Sequence, residues 1–188
     1  MDTESCTAWP VSNKSVATQT LNIVTARSEN EIHELASLAA EIWHEHFTPI
    51  IGLEQVEYML EKFQSAAAIR QQIDSGAIYL MAHEKEANIG YACLIPDIST
   101  RSAQLSKLYL LYSVRGRGLG RELLANIESL CLKMDIERLW LTVNRHNSGP
   151  ISAYQKMGFS KTDEVVMDIG GGYVMDDFIM EKRLSSQP

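Results

Sequence analysis

The spacing of apolar positions in the first third of the chain predicts helices. From Ser28 onward, apolar side chains recur three and four positions apart, so one face of a helix is expected to be buried. Ser28 and Glu31 have the spacing of a capping box, which predicts the helix start. Residues 48–52 are predicted to break this helix, with the break at Pro49. The apolar face consists of Ile32, Leu35, Leu38, Ala39, Ile42 and Trp43.

The rest of the chain alternates between helical and strand periodicity. Helical spacing recurs over 53–63, 66–73, 119–134 and 150–157. Runs of β-branched and apolar residues predict strands over 21–26, 77–83, 89–95, 103–111, 138–144, 159–166 and 173–182, with turns at 85–88 and 170–172. The predicted order is β-α-α-β-β-β-α-β-α-β-β. It favours one α/β domain over 21–184 with a mixed central sheet of about seven strands flanked by helices. Residues 1–20 are predicted to form a flexible polar extension, and residues 185–188 a tail.

Composition and charge narrow the class of protein. A chain of 188 residues with 45% hydrophobic and 22% charged residues is typical of a globular protein. No stretch reaches the roughly 18 consecutive apolar residues of a membrane span, and residues 1–20 lack the apolar core of a signal peptide. A cytoplasmic protein without membrane contact is therefore expected. The net charge of -7 argues against nucleic-acid binding, which requires many neutralised phosphates, and suits a cationic small-molecule partner.

Cysteine and histidine are not arranged as metal ligands. Cys6, Cys93 and Cys131 are far apart in the chain, and the last two lie in apolar patterns typical of a core. His44 and His46 are two positions apart without a third ligand beside them. No metal site is predicted.

The most informative segment is a glycine-rich turn between a predicted strand and a predicted helix. Residues 115–120 read Arg-Gly-Arg-Gly-Leu-Gly. Glycine lets backbone N–H groups approach an anion, and the N-terminus of the next helix adds unpaired donors. The turn lacks the Lys-Ser/Thr of a Walker loop and the G-x-G-x-x-G of a dinucleotide fold. It predicts a pyrophosphate site, with an ordinary β-to-α connection as the alternative.

This turn resembles the signature Q/R-x-x-G-x-G/A of the GNAT N-acetyltransferases. Arg115, Gly118 and Gly120 match the signature, whereas Tyr112 replaces a proline that is common after the preceding strand. The resemblance implies a single-domain GNAT fold in which the turn binds the pyrophosphate of acetyl-CoA. It also implies that the strand before the turn pairs with the pantetheine arm of this cofactor.

A second block, over residues 144–159, resembles the element N-x-x-A-x-x-x-Y-x-x-x-G-F of the same family. Asn147, Tyr154, Gly158 and Phe159 match it, and Pro150 replaces the alanine in a first helical turn that tolerates proline. The resemblance implies that Asn147 contacts the pantetheine region and that Tyr154 is the general acid. The implied cofactor-binding residues of the two blocks are Leu108, Tyr109, Leu110, Arg115, Gly116, Arg117, Gly118, Leu119, Gly120, Arg121 and Asn147.

The chemistry requires groups that the two blocks supply only in part. An amine must be neutral to attack a thioester carbonyl, and the departing thiolate is helped by a proton donor such as a tyrosine. Many relatives place a glutamate on the fifth strand as the base, and the matching position here is Thr142, which cannot serve. The proton then passes to ordered water or to another side chain. The alternative bases are His44, Glu45, His46, Glu57, Asp176 and Asp177.

The acceptor is the least determined part of the predicted function. Residues 42–63 and 172–182 resemble a bacterial branch that includes polyamine acetyltransferases, and the acidic residues there would attract a cationic amine. We therefore predict direct transfer of acetyl to a small primary amine in a ternary complex. A ribosomal or other protein N-terminus, an aminoglycoside and a free amino acid remain open as acceptors. The alternatives in function are an acetyl-CoA sensor and a non-catalytic subunit, and a homodimer is a further possibility.

Overall fold

The computed structural model describes residues 21–185, and the predicted extension over residues 1–20 lies outside this range. Seven strands and five α-helices make up the described chain. The strands are β1 (Asn22–Thr25), β2 (Ile78–Glu84), β3 (Ala87–Asp97), β4 (Ser102–Leu110), β5 (Arg138–Asn144), β6 (Ser160–Gly170) and β7 (Tyr173–Arg183). The helices are α1 (Glu29–Ile51), α2 (Leu53–Phe63), α3 (Ala66–Asp74), α4 (Leu119–Lys133) and α5 (Ser148–Lys156), with a 3₁₀ turn at Tyr112–Val114.

The strands form one mixed sheet in the order β1-β2-β3-β4-β5-β7-β6. All neighbours are antiparallel except β4 and β5, which run parallel because α4 crosses between them. Helix α4 packs on one face of the sheet, where Leu123 and Ile127 are fully buried in the main core. Helix α1 packs on the other face through Ile32 and Leu35, and α2 closes a third cluster around Val56.

Helix α1 is longer than the sequence predicted. Ser28 caps it in the expected capping box with Glu31, but the helix runs through Pro49 to Ile51. The predicted end at Pro49 is therefore wrong. Proline removes only one hydrogen bond in the last turn, and the Gly52 N–H still donates to the Thr48 carbonyl at 3.0 Å. The three helices between β1 and β2 match the three predicted helical segments, of which the predicted order counted only two.

An irregularity in β4 opens the centre of the sheet. Cys93 pairs with Lys107 but Leu94 pairs with Leu105, so Ser106 is an extra residue that bulges out of β4. Parallel pairing between β4 and β5 is confined to Ser102–Gln104 and Arg138–Trp140. Beyond these residues the two strands diverge, and the gap between them becomes the wall of a cavity.

A buried polar group lies beside this bulge. Lys107 is only 7% exposed, and its ammonium donates to the Gln72 side chain and to the Tyr79 hydroxyl, each at 2.5 Å. Burial lowers the pKa of Lys107. Nothing in the apolar pattern of β4 indicated a buried lysine, because the bulge turns this position towards α3.

Gly90 allows β3 to approach the end of β4 closely. A Cβ atom at Gly90 would lie 2.4 Å from Leu110 Cδ2 and 2.5 Å from the Tyr109 carbonyl oxygen. We expect Gly90→Ala to lower the free energy of unfolding by about 1–3 kcal/mol, because backbone as well as side chain must shift. Urea denaturation measures this loss. The control is Gly149→Ala, where a Cβ meets no atom within 4 Å and a change within about 1 kcal/mol is expected. Equal effects of the two substitutions would contradict the close approach.

Candidate active site

The glycine-rich turn presents backbone donors at the start of α4. Gly118 is the residue that precedes the helix, with φ 82°, and Gly116 has φ 77°, both in the left-handed region that glycine adopts without strain. Among the residues that the structure describes, no side chain caps this helix. A Cβ at either glycine would meet no atom within 4 Å, so the turn is open on its outer side. The donors and the open approach fit a pyrophosphate.

The arginines of the turn bind protein groups. Arg115 donates from Nε to the Leu110 carbonyl at 3.0 Å, and its Nη1 lies 3.1 Å from His46 Nδ1. Arg117 forms a two-point ion pair with Glu84 at the end of β2. Arg121 is exposed on α4. In this structure the backbone of the turn, rather than the guanidinium groups of Arg115 and Arg117, is therefore available to an anion.

A cavity of about 330 Å³ lies in the gap between β4 and β5. Its lining includes Leu108 and Tyr109 from β4, together with Asn147 and Tyr154 from the second sequence block. Leu110, predicted beside them, packs against the main core. The structure therefore brings the end of β4 and the Asn–Tyr block to one cavity, as the cofactor prediction requires.

Tyr154 reaches this cavity from α5. Its ring packs edge-to-face against Phe159, with ring centroids 5.6 Å apart. Burial raises the pKa of Tyr154 to about 12, so the hydroxyl keeps its proton at every ordinary pH. Asn147 is fixed at the start of α5, where its N–H donates to the Asn144 carbonyl at 2.9 Å.

Of the six alternative bases, only Asp177 lines the cavity. The other five side chains have partners or lie elsewhere: His44 Nε2 is 2.7 Å from Glu57 Oε1, Glu45 accepts from the Tyr112 N–H at 3.3 Å, His46 faces Arg115, and Asp176 lies 2.5 Å from Arg145. The Glu57 carboxylate raises the pKa of His44, and burial lowers that of His46. Thr142, at the position of the expected glutamate, also lines the cavity.

Asp177 is an unusual carboxylate. It is 2% exposed, and its Oδ1 has no hydrogen-bond partner among the described residues. Burial raises the pKa of Asp177, the neighbouring Asp176 adds to this rise, and the Thr142 hydroxyl opposes it. Buried carboxylates without partners are costly for a fold, so this one is a strong functional candidate.

Aromatic residues that the sequence analysis did not assign to the site form another wall. Trp43 and Phe47 of α1 have ring centroids 4.5 Å apart, and the Trp43 ring lies 5.8 Å from that of Tyr109. Both α1 rings line the cavity, as does the exposed His146 between β5 and α5. The spacing of Trp43 and Phe47, four positions apart on one helix, was the only signal in the sequence.

Comparison with known proteins decides the family. A sequence model of the acetyltransferase (GNAT) domain matches residues 47–174, which contain both motif blocks. This chain belongs to the GNAT family of acetyltransferases. As a GNAT protein it is an acetyl-CoA-dependent N-acetyltransferase, which confirms the fold, enzyme class and cofactor that the two blocks predicted.

Individual relatives agree with this assignment. The GNAT chain is 30% identical to a spermidine N(1)-acetyltransferase of Thermoplasma acidophilum, over 85% of this chain and 95% of the relative. The crystal structure of the PaiA N-acetyltransferase of Thermoplasma acidophilum in complex with coenzyme A superposes with a TM-score of 0.71 at 28% identity, covering 87% and 98% of the two chains. A ribosomal-protein-alanine N-acetyltransferase of Brucella melitensis, with a TM-score of 0.65 at 20% identity over 87% and 99%, shares the fold.

One further property of the GNAT chain concerns membranes. Within residues 21–185, no helix combines the length and the apolar character needed to cross a bilayer.

Proposed function

We propose that this GNAT enzyme acetylates a small cationic amine of the polyamine type. The observation that carries the proposal is Asp177, the one carboxylate among the described residues that line the cavity. Most other lining side chains are aromatic or aliphatic, and the lining Lys107 has its ammonium bonded to Gln72 and Tyr79. A carboxylate in such surroundings attracts an ammonium group more strongly than a solvated one does, because little water screens the charge.

The walls of the cavity suit an alkylammonium chain. Trp43 and Phe47 offer ring faces, which attract cations. Ile50 and Val174 also line the cavity and are 58% and 55% exposed, so they form an apolar rim. An alkyl spacer packed on this rim would direct one nitrogen inward while a second remains in water.

Two independent facts support a cationic acceptor. The Thermoplasma acidophilum relative, at 30% identity, is named a spermidine N(1)-acetyltransferase. The chain carries a net charge of -7, which favours the approach of cations over that of anions.

Different residues of the site would have different roles in the transfer. Acetyl-CoA, when bound, supplies an activated acetyl thioester. Backbone donors of 116–121 would hold its pyrophosphate, and the β4 edge at Leu108–Leu110 would pair with its pantetheine arm. Tyr154 would donate the proton to the leaving thiolate, because its raised pKa keeps the hydroxyl protonated.

A panel of amines tests the acceptor. The purified enzyme is mixed with acetyl-CoA and, separately, spermidine, an aminoglycoside, a free amino acid or a peptide with a free N-terminus, and free thiol is measured. We expect kcat/KM for spermidine to exceed that for the amino acid and the peptide by about 10²-fold or more, since neither of these presents an alkyl diammonium.

Each other outcome has a definite meaning. Preference for the peptide would replace the polyamine proposal with N-terminal acetylation. If acetyl-CoA raises the thermal midpoint but no amine releases thiol, the chain binds the cofactor without transfer, as a sensor would.

A further inference from the structure

Asp177 lines the cavity, and its Oδ1 has no hydrogen-bond partner among the residues that the structure describes. The transfer needs a group that removes a proton from the acceptor. We propose that Asp177 is the general base of this GNAT enzyme, taking a proton from the acceptor ammonium before the amine attacks. This inference rests on the proposed cationic acceptor, and it assigns to β7 the role that the fifth strand lacks because Thr142 replaces a glutamate.

The geometry around Asp177 singles it out. The residue lies in the pairing between β7 and its neighbours, opposite Asn144 on β5 and Val165 on β6. Asp177 is 2% exposed and lines the cavity, and among the described residues its Oδ1 has no hydrogen-bond donor.

Asp176, the residue before Asp177 on β7, is paired with an arginine. Its carboxylate lies 2.5 Å from Arg145, which also contacts Glu164 at 3.0 Å. Arg145 therefore pairs with Asp176 and Glu164. Asp177 faces the cavity without this counter-charge.

The groups that face Asp177 from the other elements leave it as the best proton acceptor. Tyr109 on β4 and Tyr154 on α5 both keep their protons, because burial raises the pKa of each hydroxyl, and for Tyr109 the charge of Asp177 adds to the rise. Thr142 and Asn144 of β5 are uncharged cavity neighbours.

The remaining neighbours are the helices, one lysine and one histidine. Lys107 of β4 lines the cavity, and its ammonium donates to the Gln72 side chain and to the Tyr79 hydroxyl. Within the described part of the chain, the cavity residues of α1 and α2 are uncharged, namely Trp43, Phe47, Ile50, Ile51, Gln55 and Met59. His146 borders the cavity but is exposed, so it is the rival base that an experiment must address.

The proton balance closes with two residues. The ammonium gives one proton to the Asp177 carboxylate, which becomes a neutral carboxylic acid. The amine nitrogen then bonds to the thioester carbonyl carbon, the C–S bond breaks, and the thiolate takes the Tyr154 proton. The new amide nitrogen returns its surplus proton to the Tyr154 phenolate, and Asp177 releases its proton to solvent, so one proton leaves per turnover.

A comparison of two nucleophiles distinguishes a base at Asp177 from a residue that only binds the acceptor. Spermidine is cationic near neutral pH and must lose a proton, whereas hydroxylamine is already uncharged. With spermidine we expect Asp177→Asn to lower kcat by about 10²-fold; with hydroxylamine the loss is expected to stay below about 3-fold. The control is Asp163→Asn at an exposed position of β6, which is expected to keep both rates, and His146→Gln tests the rival base.

The pH dependence gives a second readout. For the wild type, kcat/KM with spermidine is expected to rise as Asp177 loses its proton and then to level off. For Asp177→Asn it continues to rise towards the amine's own pKa, near about 10, because only the neutral amine reacts. Equal losses with both nucleophiles, a change in KM alone, or His146→Gln showing the loss instead would overturn the proposal.

Stability measurements exclude trivial unfolding. The pKa of folded Asp177 is raised above its value in the unfolded chain, so the wild type loses stability as pH rises through that folded pKa. Asp177→Asn removes this loss, and its thermal midpoint near neutral pH is expected to equal or exceed that of the wild type. A wild type that acetylates hydroxylamine but no cationic amine would overturn both proposals; spermidine turnover that survives Asp177→Asn overturns this one alone.

Discussion

Replacing Gly118 by Asp is expected to weaken acetyl-CoA binding by about 10³-fold, measured as a Kd by calorimetry. The new carboxylate would stand at the start of α4, where the pyrophosphate is expected. Two like charges about 4 Å apart near a protein surface repel by about 4 kcal/mol, and each 1.4 kcal/mol is about a tenfold change in affinity. The loss should shrink at high salt, which screens exposed charges.

Gly118→Asn is the matched control for this substitution. Asparagine has nearly the same shape, tolerates the left-handed conformation that Gly118 adopts at φ 82°, and carries no charge. Both side chains can also cap α4 and occupy a backbone donor. The difference between Asp and Asn therefore isolates the charge. If the two variants bind acetyl-CoA equally well, the pyrophosphate does not lie at this turn.

Tyr154→Phe is expected to lower kcat by about 10²-fold while the Kd for acetyl-CoA changes by less than about 3-fold. Phenylalanine keeps the edge-to-face contact with Phe159, so only the proton donor is lost. Steady-state kinetics gives kcat, and calorimetry gives the Kd. Because the pKa of Tyr154 is raised to about 12, the wild-type rate should show no fall from loss of this proton below about pH 11.

Tyr109 is the rival donor, since its ring lines the same cavity. Tyr109→Phe should therefore be measured in parallel, with Tyr112→Phe as a control at a tyrosine that is 67% exposed. If Tyr109→Phe abolishes turnover and Tyr154→Phe does not, the acid comes from β4 rather than α5.

Several helices and strands could be predicted from the sequence because interactions between residues close in the chain determine them. The capping box at Ser28 fixed the start of α1, and the predicted segment 53–63 coincides with α2. The end of α1 was mispredicted because a proline in the last turn costs little when the following residues still have partners. The β4 bulge at Ser106 is set by pairing with β3, which no single segment reveals.

The part of the site in which backbone groups would bind the ligand could be predicted from the sequence. The part that depends on side chains could not. The spacing of the glycines in the turn was enough to predict a pyrophosphate site. Asp176 and Asp177, in contrast, are adjacent and chemically identical in the sequence. Only the sheet shows that one pairs with Arg145 while the other is buried in the cavity, because neighbouring strand residues point to opposite faces.

The divergence of β4 from β5 also leaves part of the sheet without a neighbouring strand. From Leu105 to Leu110, β4 has β3 on one side and the cavity on the other, so the middle of the sheet contains an unprotected edge of the kind to which foreign strands add. A ligand that binds only the folded form at a hundredfold excess over its Kd contributes about 2.7 kcal/mol of stability. If acetyl-CoA pairs with β4 as proposed, it would therefore stabilise the fold by an amount that depends on its concentration.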